Sequence, residues 1–272
     1  MQKNLWIYSD KKMNNLEQSR FKNLIIGLII PALILFFWEA SVRLGFVPST
    51  LIASPLQVAT DFFRLLFNGK LTEHSAISIY RLVFGFSLGT ILGIALGIVV
   101  GISKTAEKLV SPTMKFLTPI PPIAWIPLII IVFRIGEASK IALITFAVFV
   151  VIYVNTFHGI RAIDLKLVEV AKAFNKNKKN LLFKVILPAA TPNIIIGMRV
   201  ALDLAWILLI ASELIASSKG LGWLIWDSRN FSRADDMIVG MLAIGILGFL
   251  TNRLLALFEK RALIWRNSFQ GE

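Results

Sequence analysis

The sequence predicts an all-helical integral membrane protein with six transmembrane helices. Of its 272 residues, 56% are hydrophobic and 17% are charged, and the mean hydropathy is +0.74. Soluble domains carry about a quarter charged residues, and a soluble fold of this length could not cover so much apolar surface. Several stretches approach the roughly 20 apolar residues that a helix needs to cross about 30 Å of hydrocarbon.

The predicted spans follow one another with short connections. Four of them are free of charged residues: 23–38, 82–103, 116–133 and 141–160. The fifth, about 191–214, contains Arg199, Asp203 and Glu213, and the sixth, 237–252, continues to about Phe258. We therefore expect one transmembrane domain over residues 24–258, with a cytoplasmic loop at 161–190, between tails formed by residues 1–23 and 259–272.

The distribution of basic residues predicts the orientation. Segments 1–23, 103–115, 161–190 and 259–272 hold 18 Lys and Arg, whereas 43–78, 134–140 and 215–236 hold 8. Because cytoplasmic loops are enriched in these residues, we expect both termini in the cytoplasm and a multi-pass protein of the inner or plasma membrane. The same pattern explains the net charge of +13 without nucleic acid, since the basic residues are spread along one side of the membrane.

The residue inventory predicts no enzyme, no cofactor and no metal site in this chain. There is no cysteine, which excludes disulfides, thiolate metal sites and thiol catalysis. The only two histidines are far apart in sequence, and we expect His74 in a loop and His158 at a helix end. Gly220-Leu221-Gly222 follows a helix instead of a strand, so it is not a nucleotide fingerprint.

Two patterns lie before and within the second span: an amphipathic segment and a glycine repeat. The segment 58–67 is amphipathic and is expected along the outer interface. Gly85, Gly89, Gly93, Gly97 and Gly101 recur every four residues, which favours close approach of another helix. A sliding interface during transport is the alternative interpretation of the glycines.

The third span contains four prolines, at positions 119, 121, 122 and 127. Proline removes a helical hydrogen bond, and freed carbonyls at membrane depth are tolerated only in protein or beside water. Broken helices often mark a solute path. We therefore expect Pro121, Pro122 and Trp125 to line a path, with a structural kink as the alternative.

The fifth span carries the intramembrane charges. Arg199 and Asp203 are four residues apart, so they share a helix face and are expected to neutralise each other unless they contact a solute. Trp206 is within a turn of Asp203 and is either a packing residue or a solute contact. Ser212 and Glu213 lie near the outer end, where Glu213 could be a headgroup-level carboxylate. Trp223, Trp226 and Trp265 are expected at the interface.

The segment 161–190 is too long for a turn. Asp164 can cap a short helix from about Leu165 to Phe174, and a second short helix is expected over Lys178–Val185, before Pro188. With seven basic residues, this loop is either a docking surface or a solvated basic loop.

Residues of this loop resemble a known motif. Glu169-Val170-Ala171, then Asn175, then Val185-Ile186-Leu187-Pro188 are similar in spacing to the EAA loop of ATP-binding cassette importer permeases. Val170 stands where the motif has Ala, and Asn175 where it has Gly. The second change is mild, because Asn accepts a positive φ more readily than most residues.

The resemblance extends from about Trp38 to Trp265. Segments 120–128, 136–141, 153–161, 197–199, 211–213 and 220–222 resemble the branch that imports sulfonates, taurine, nitrate and bicarbonate. Two positions depart from that branch: Asp203, where relatives often have Gly, and Asn252, where Asp is usual.

The resemblance implies a type I importer permease fold and a set of partners. These are cytoplasmic ATP-binding subunits that hold ATP and magnesium, a second permease copy (a homodimer), an extracytoplasmic solute-binding protein and the lipid bilayer. It implies ATPase coupling by Glu169, Val170, Ala171, Asn175, Val185, Leu187 and Pro188. It also implies a path at the two-fold axis lined by helices three and five, with Pro121, Pro122, Trp125, Arg199, Asp203, Trp206, Ser212 and Glu213 as candidates.

The expected function is therefore alternating access by rigid-body rotation, importing a small anion. Aliphatic sulfonate or taurine is the leading expectation, with nitrate, bicarbonate or a small heterocycle as alternatives. A secondary transporter driven by an ion gradient is the competing class. It is disfavoured because the sequence shows few buried acids and no inverted pair of interrupted helices.

Overall fold

A computed structural model describes residues 26–48, 51–173 and 177–263, and all regular elements within these ranges are helical. The helices are α1 (Ile26–Arg43), α2 (Pro55–Phe67), α3 (Lys70–Ile102), α4 (Lys104–Leu117), α5 (Ile126–Phe133), α6 (Glu137–Arg161), α7 (Leu165–Ala173), α8 (Lys178–Leu181), α9 (Leu187–Ala216), α10 (Leu221–Asn230) and α11 (Ala234–Ala262). A 3-10 turn (Pro122–Trp125) precedes α5, and a π-helical turn (Leu182–Ile186) joins α8 to α9.

Five of the predicted spans correspond to single helical segments that are long and apolar enough to cross a membrane. They are α1, α3, α6, the segment Lys179–Ala216 and α11. The start of the second span was predicted at residue 82, whereas α3 begins at Lys70. The extra turns carry polar side chains such as Ser78 and Arg81, which hydropathy excludes from a span but which are buried between helices here.

The third span, predicted as one helix over 116–133, is broken. The axes of α4 and of the segment Pro122–Phe133 differ by 91°. The chain bends at Pro119 and Pro121, where helical hydrogen bonding cannot continue. With eight residues, α5 is about 12 Å long and is too short to cross a bilayer by itself.

The packing of α3 on α6 shows that the broken segment nevertheless returns the chain across the bundle. The five α3 glycines lie against α6 residues in the same sequential order: Ile144, Val148, Ile152, Thr156 and Ile160. The two helices are therefore parallel, and the chain between them must travel back from the end of α3 to the start of α6. The third crossing stays a prediction, because α4 and the segment Pro122–Phe133 are long and apolar enough for a span only when they are taken together. A Cβ added at these glycines would meet an atom of α6 at 2.6 to 3.0 Å, so the predicted close approach is confirmed.

Two glycine contacts give the direction of α9 relative to α6. Gly197 of α9 packs on Asn155, and Gly159 of α6 packs on Asn193, so α9 is antiparallel to α6. The α2 helix covers the other end of the bundle, where its buried residues Val58 and Leu65 pack with Leu221 and Leu224 of α10. This packing accounts for the amphipathic pattern of 58–67. We refer below to the α7 end and the α10 end of the bundle.

Candidate functional site

One face of α9 is uncovered in the middle of the helix. Ile196, Val200, Asp203 and Ile207 are all exposed and recur at helical spacing. Asp203 is the acidic member of this face, and its Oδ1 accepts a hydrogen bond from Nδ2 of Asn252 on α11 at 3.1 Å. The two positions that depart from the resembling branch thus contact each other.

The predicted ion pair between Arg199 and Asp203 is wrong. Arg199 instead pairs through Nη2 with Glu259 of α11. Four-residue spacing puts the two side chains on one face of α9, but α11 runs antiparallel alongside and supplies a partner to each of them. As a result, Asp203 has no ion-pair partner among the residues that the structure describes.

Trp206 and Ser212 point away from the uncovered face. The indole Nε1 of Trp206 donates to Oγ1 of Thr251 at 3.0 Å, and the ring is buried in the cluster formed by α3, α6 and α9. Ser212 is buried and donates to the carbonyl of Leu209 at 2.8 Å. Of the two alternatives for Trp206, this geometry favours packing with α11.

Glu213 is fully buried, so it is not a carboxylate at headgroup level. Its Oε1 accepts from Nη1 of Arg81 at 2.6 Å and from Oγ of Ser78 at 2.8 Å. Its Oε2 accepts from the backbone N–H of Gly222 at 2.8 Å. The carboxylate therefore joins α3, α9 and the start of α10, and in this conformation its oxygens are occupied by protein donors.

Arg81 extends this cluster to α6. Its Nε and Nη2 donate to the two carboxylate oxygens of Glu137 at 2.6 Å each, and Lys140 donates to the same carboxylate at 3.2 Å. Nη1 also donates to the carbonyl of Lys219 at 2.8 Å. We call Ser78, Arg81, Glu137 and Glu213 the outer cluster; it ties four elements together at the α10 end.

His74 was predicted in a loop, and this prediction is wrong. The residue lies in the second turn of α3, is buried, and accepts a hydrogen bond at Nδ1 from the backbone N–H of Gly220 at 3.0 Å. Its ring packs on Trp223 with 5.3 Å between centroids. Hydropathy placed this stretch outside the membrane, but its polar side chains hold the turn before α10.

A second charged group lies at the α10 end, where α2 meets the first turn of α11. Arg64 contacts Asp61 at 2.8 Å and Asp236 at 2.9 Å, and Arg233 contacts Asp236 at 3.4 Å. Burial raises the pKa of the Asp61 carboxyl above its ordinary value, and a hydrogen bond with the Asp235 carboxyl raises it further. This group fastens α2 to the first turn of α11.

The proline-rich break lines an apolar groove. Pro121 is exposed, Pro122 opens the 3-10 turn, and the Trp125 ring packs on Phe146 with 5.2 Å between centroids. Trp125, Ile129 and Phe133 form one wall of the groove, which has a volume of about 1030 Å³, and α3 and α6 form the others. Its lining is almost wholly hydrocarbon, and Thr145 and Trp125 are the lining residues with a polar side-chain atom.

The loop at the α7 end forms the two predicted short helices. The backbone N–H of Lys166 donates to Oδ1 of Asp164 at 2.9 Å, which confirms the predicted start of α7. Glu169 and Val170 are exposed, and Ala171 is buried. Phe174 and Asn175 lie outside the described residues, so the predicted turn there stays a prediction.

The second short helix was predicted to end before Pro188, but the chain stays helical past this residue. It passes through the π-helical turn, in which the N–H of Leu187 bonds to the carbonyl of Leu182. Pro188 has no N–H to donate, and the wider turn lets the chain remain helical past it. Val185, Leu187 and Pro188 are half-buried, and Ile186 packs with Ile160, Ala190 and Ile194.

The sequence analysis missed the outer cluster apart from Glu213. Arg81 lies just outside the predicted span 82–103. It is four residues before Gly85 and so continues the four-residue repeat of the α3 glycines, which was a readable signal of burial. Glu259 was assigned to the cytoplasmic tail. Nothing local in the sequence indicated that α11 would bring Glu259 and Asn252 to α9.

The sequence matches a family of membrane transport components and several transport permeases. Residues 89–264 match the family of binding-protein-dependent transport system inner membrane components. The chain is 41% identical over 245 residues to a putative aliphatic sulfonates transport permease protein, SsuC, of Bacillus subtilis, covering 90% of this chain and 89% of that protein. It is 30% identical over 257 residues to the taurine transport system permease protein TauC of Escherichia coli, covering 93% of each.

Among solved structures, the fold is similar to a chain of the MetNI methionine ABC transporter in an inward-facing conformation. The TM-score is 0.59, with 17% identity, over 68% of this chain and 93% of that chain. At this identity the similarity concerns the fold, and it agrees with the predicted type I importer architecture.

Proposed function

The chain belongs to the family of binding-protein-dependent transport system inner membrane components, and from this premise we propose that it forms the translocation path of an ATP-driven importer for aliphatic sulfonates or taurine. It is a multi-pass inner membrane permease, and the relatives that resemble it are transport permeases and not enzymes. The solute class is supported by the names of those relatives. Nitrate, bicarbonate and small heterocycles are the solutes to compare with it.

One observation carries the proposed coupling mechanism. A single helical segment runs from Lys179, in the exposed loop, to Ala216 at the other end of the bundle. It contains the uncovered α9 face with Arg199 and Asp203. Because a helix transmits displacement along its axis, a force applied to the loop would reach the middle of the membrane without passing through a flexible connection.

The loop is proposed as the docking site of a cytoplasmic ATPase. Glu169 and Val170 are exposed on α7 and available to a partner, while Ala171 is buried. Val185, Leu187 and Pro188 are half-buried and are proposed to anchor the return to α9. Asn175 keeps its proposed coupling role and lies outside the described residues. ATP and magnesium are proposed to bind the ATPase and not this chain.

The path is proposed to lie between two copies of the chain. Asp203 and Asn252 are exposed in a single copy although each lies within an apolar span. Polar side chains at that depth face a cavity or another protein surface, since contact with lipid is costly. A homodimer would place two such faces around a common axis, and a solute-binding protein would deliver the solute at the α10 end. Alternating access then follows when the ATPases close and rotate the two copies.

The test is ATP-dependent uptake by the assembled transporter. The tagged chain is isolated from its host in mild detergent with its partners, and the complex is reconstituted in liposomes. Glu169→Ala and Pro188→Ala should each reduce uptake at least about fivefold while the chain remains in the membrane. Lys260→Ala, an exposed charge at the α7 end of α11, serves as the matched control.

Two outcomes would contradict the proposal. Wild-type uptake by both loop variants would remove the coupling role of the loop. A chain that purifies without an ATPase and moves solute down an ion gradient would instead identify a secondary transporter. Uptake of nitrate, bicarbonate or a heterocycle in place of sulfonates would keep the mechanism and change the solute.

A further inference from the structure

Asp203 lies near the centre of its span. It is 16 residues after Leu187 and 13 before Ala216, or about 24 Å and 20 Å from the two ends of α9. The side chain is exposed, as are Val200 and Ile207 on the same face. An ionised group at this depth is expensive in contact with hydrocarbon and is found facing a bundle interior or a water-filled cavity.

Among the residues that the structure describes, the negative charge of Asp203 has no counter-ion. Its hydrogen-bond donor is the amide of Asn252, which is neutral. The nearest cation on the same face, Arg199, is paired with Glu259. The Arg199 side chain is still 53% exposed, so guanidinium donors remain available beyond that pair. The uncovered face therefore presents a free carboxylate and, about 6 Å along the helix axis, a partly free guanidinium.

From this arrangement we propose that Asp203 makes the translocation path select solutes that carry a cationic centre. The inference rests on the proposed function, because it deepens the solute class of that same path. A zwitterion with an ammonium and a sulfonate at the two ends of a short alkyl chain fits both groups, with the ammonium at Asp203 and the sulfonate at Arg199. A plain alkanesulfonate has only a negative group, which the carboxylate repels.

The electrostatic part of the proposal can be tested without knowing the solute. The chain has no cysteine, so a single introduced thiol is the only reactive one. Ile207→Cys places it one turn from Asp203 on the same exposed face. Membrane vesicles of both orientations are treated with a quaternary-ammonium or a sulfonate-bearing methanethiosulfonate. Ile91→Cys, exposed on α3 away from this face, is the control for reaction through lipid.

The expected result is that Cys at position 207 reacts from at least one side and favours the cationic reagent. Asp203→Asn, which removes the charge and keeps the shape, should lower the ratio of cationic to anionic rates at least about fivefold. Reaction no faster than at position 91 would show that the face is dry. If Asp203→Asn leaves the ratio of cationic to anionic rates unchanged, Asp203 of the wild type contributes no charge to the path. Either result overturns the proposal, whatever the solute or the ATPase.

The solute part is tested by uptake into liposomes containing the complete transporter, with taurine and ethanesulfonate as two solutes that differ by an amino group. Asp203→Asn should lower the ratio of taurine to ethanesulfonate uptake about tenfold. Arg199→Gln, the matched variant, should lower uptake of both. An equal effect of Asp203→Asn on both solutes overturns the inference and leaves the importer intact. Absence of ATP-dependent sulfonate uptake by the wild type would overturn the sulfonate assignment, while the thiol ratio still decides the charge selection.

Discussion

Arg81 and Glu213 form an ion pair inside the bundle, with 2.6 Å between Nη1 and Oε1 and at most 1% of either side chain exposed. The pair joins α3 to α9 across 132 residues of sequence. Buried charges are costly to desolvate, and they are tolerated when hydrogen bonds complete their coordination. Here Ser78, Gly222 and Glu137 provide those bonds, so the pair acts as a fixed point at the α10 end.

Removing one partner of this pair should destabilise the chain strongly. Glu213→Ala leaves the buried Arg81 with one carboxylate fewer and should cost about 3–5 kcal/mol of unfolding free energy. Glu213→Gln keeps two hydrogen bonds and should cost less. Unfolding in detergent by heat or denaturant measures the difference. Glu137→Gln, at a carboxyl that is half exposed, is the control. If Glu137→Gln lowers the unfolding free energy as much as Glu213→Gln does, the central role of Glu213 is contradicted.

A second prediction concerns the α3 glycines that recur every four residues, where a substitution adds an atom to a close helix contact. Gly89→Ala would place a Cβ at 2.6 Å from the carbonyl oxygen of Thr145 and at 2.7 Å from Cβ of Val148. The helices must separate, which should cost about 1–3 kcal/mol. Gly245→Ala in α11 is the matched control, because its Cβ would meet nothing within 4 Å. That variant should be neutral or slightly stabilising, since alanine favours a helix over glycine by about 1 kcal/mol.

The α2–α11 contact should respond to pH through Asp61. Because the pKa of this carboxyl is raised in the folded chain, the native state binds the proton more tightly than the unfolded state. Protonated Asp61 therefore stabilises the folded chain when the pH is below its pKa in the unfolded state, about 3.9. This stabilisation is lost as the pH rises through its pKa in the folded state. Asp61→Asn mimics the protonated group and should raise the unfolding temperature at neutral pH but not at acid pH. A variant that is less stable at every pH would contradict this sign.

Several features of the fold could be predicted from the sequence because they depend on local pattern. The charge-free stretches predicted most of the spans, and Asp164 predicted the start of α7. The four-residue glycine repeat predicted the close approach of another helix, which the structure identifies as α6. The four prolines indicated a break in the third span but not the 91° angle between its two helical parts.

The candidate site was harder to predict, because its pairings are tertiary. Arg199 and Asp203 have the spacing of an ion pair within one helix, but each bonds to a residue of α11 instead. A pattern four residues long contains no information about a helix 50 residues later. Glu213 was similarly placed at the headgroups by its position near a helix end, although α3 supplied buried donors for it.

The helical connection from the loop to α9 gives a last prediction about coupling. Phe183 and Lys184 are exposed in the π-helical turn, so substitutions there change the stiffness of the chain more than its packing. The double variant Phe183→Gly, Lys184→Gly loosens the turn, since each glycine costs about 1 kcal/mol of helix stability relative to alanine. We expect ATP-driven uptake to fall at least about threefold while ATP hydrolysis by the complex continues. The double alanine variant at the same positions removes the same side chains but keeps the helix, and it should retain most of the uptake. If glycine and alanine pairs reduce uptake equally, the side chains and not the continuity of the helix carry the coupling.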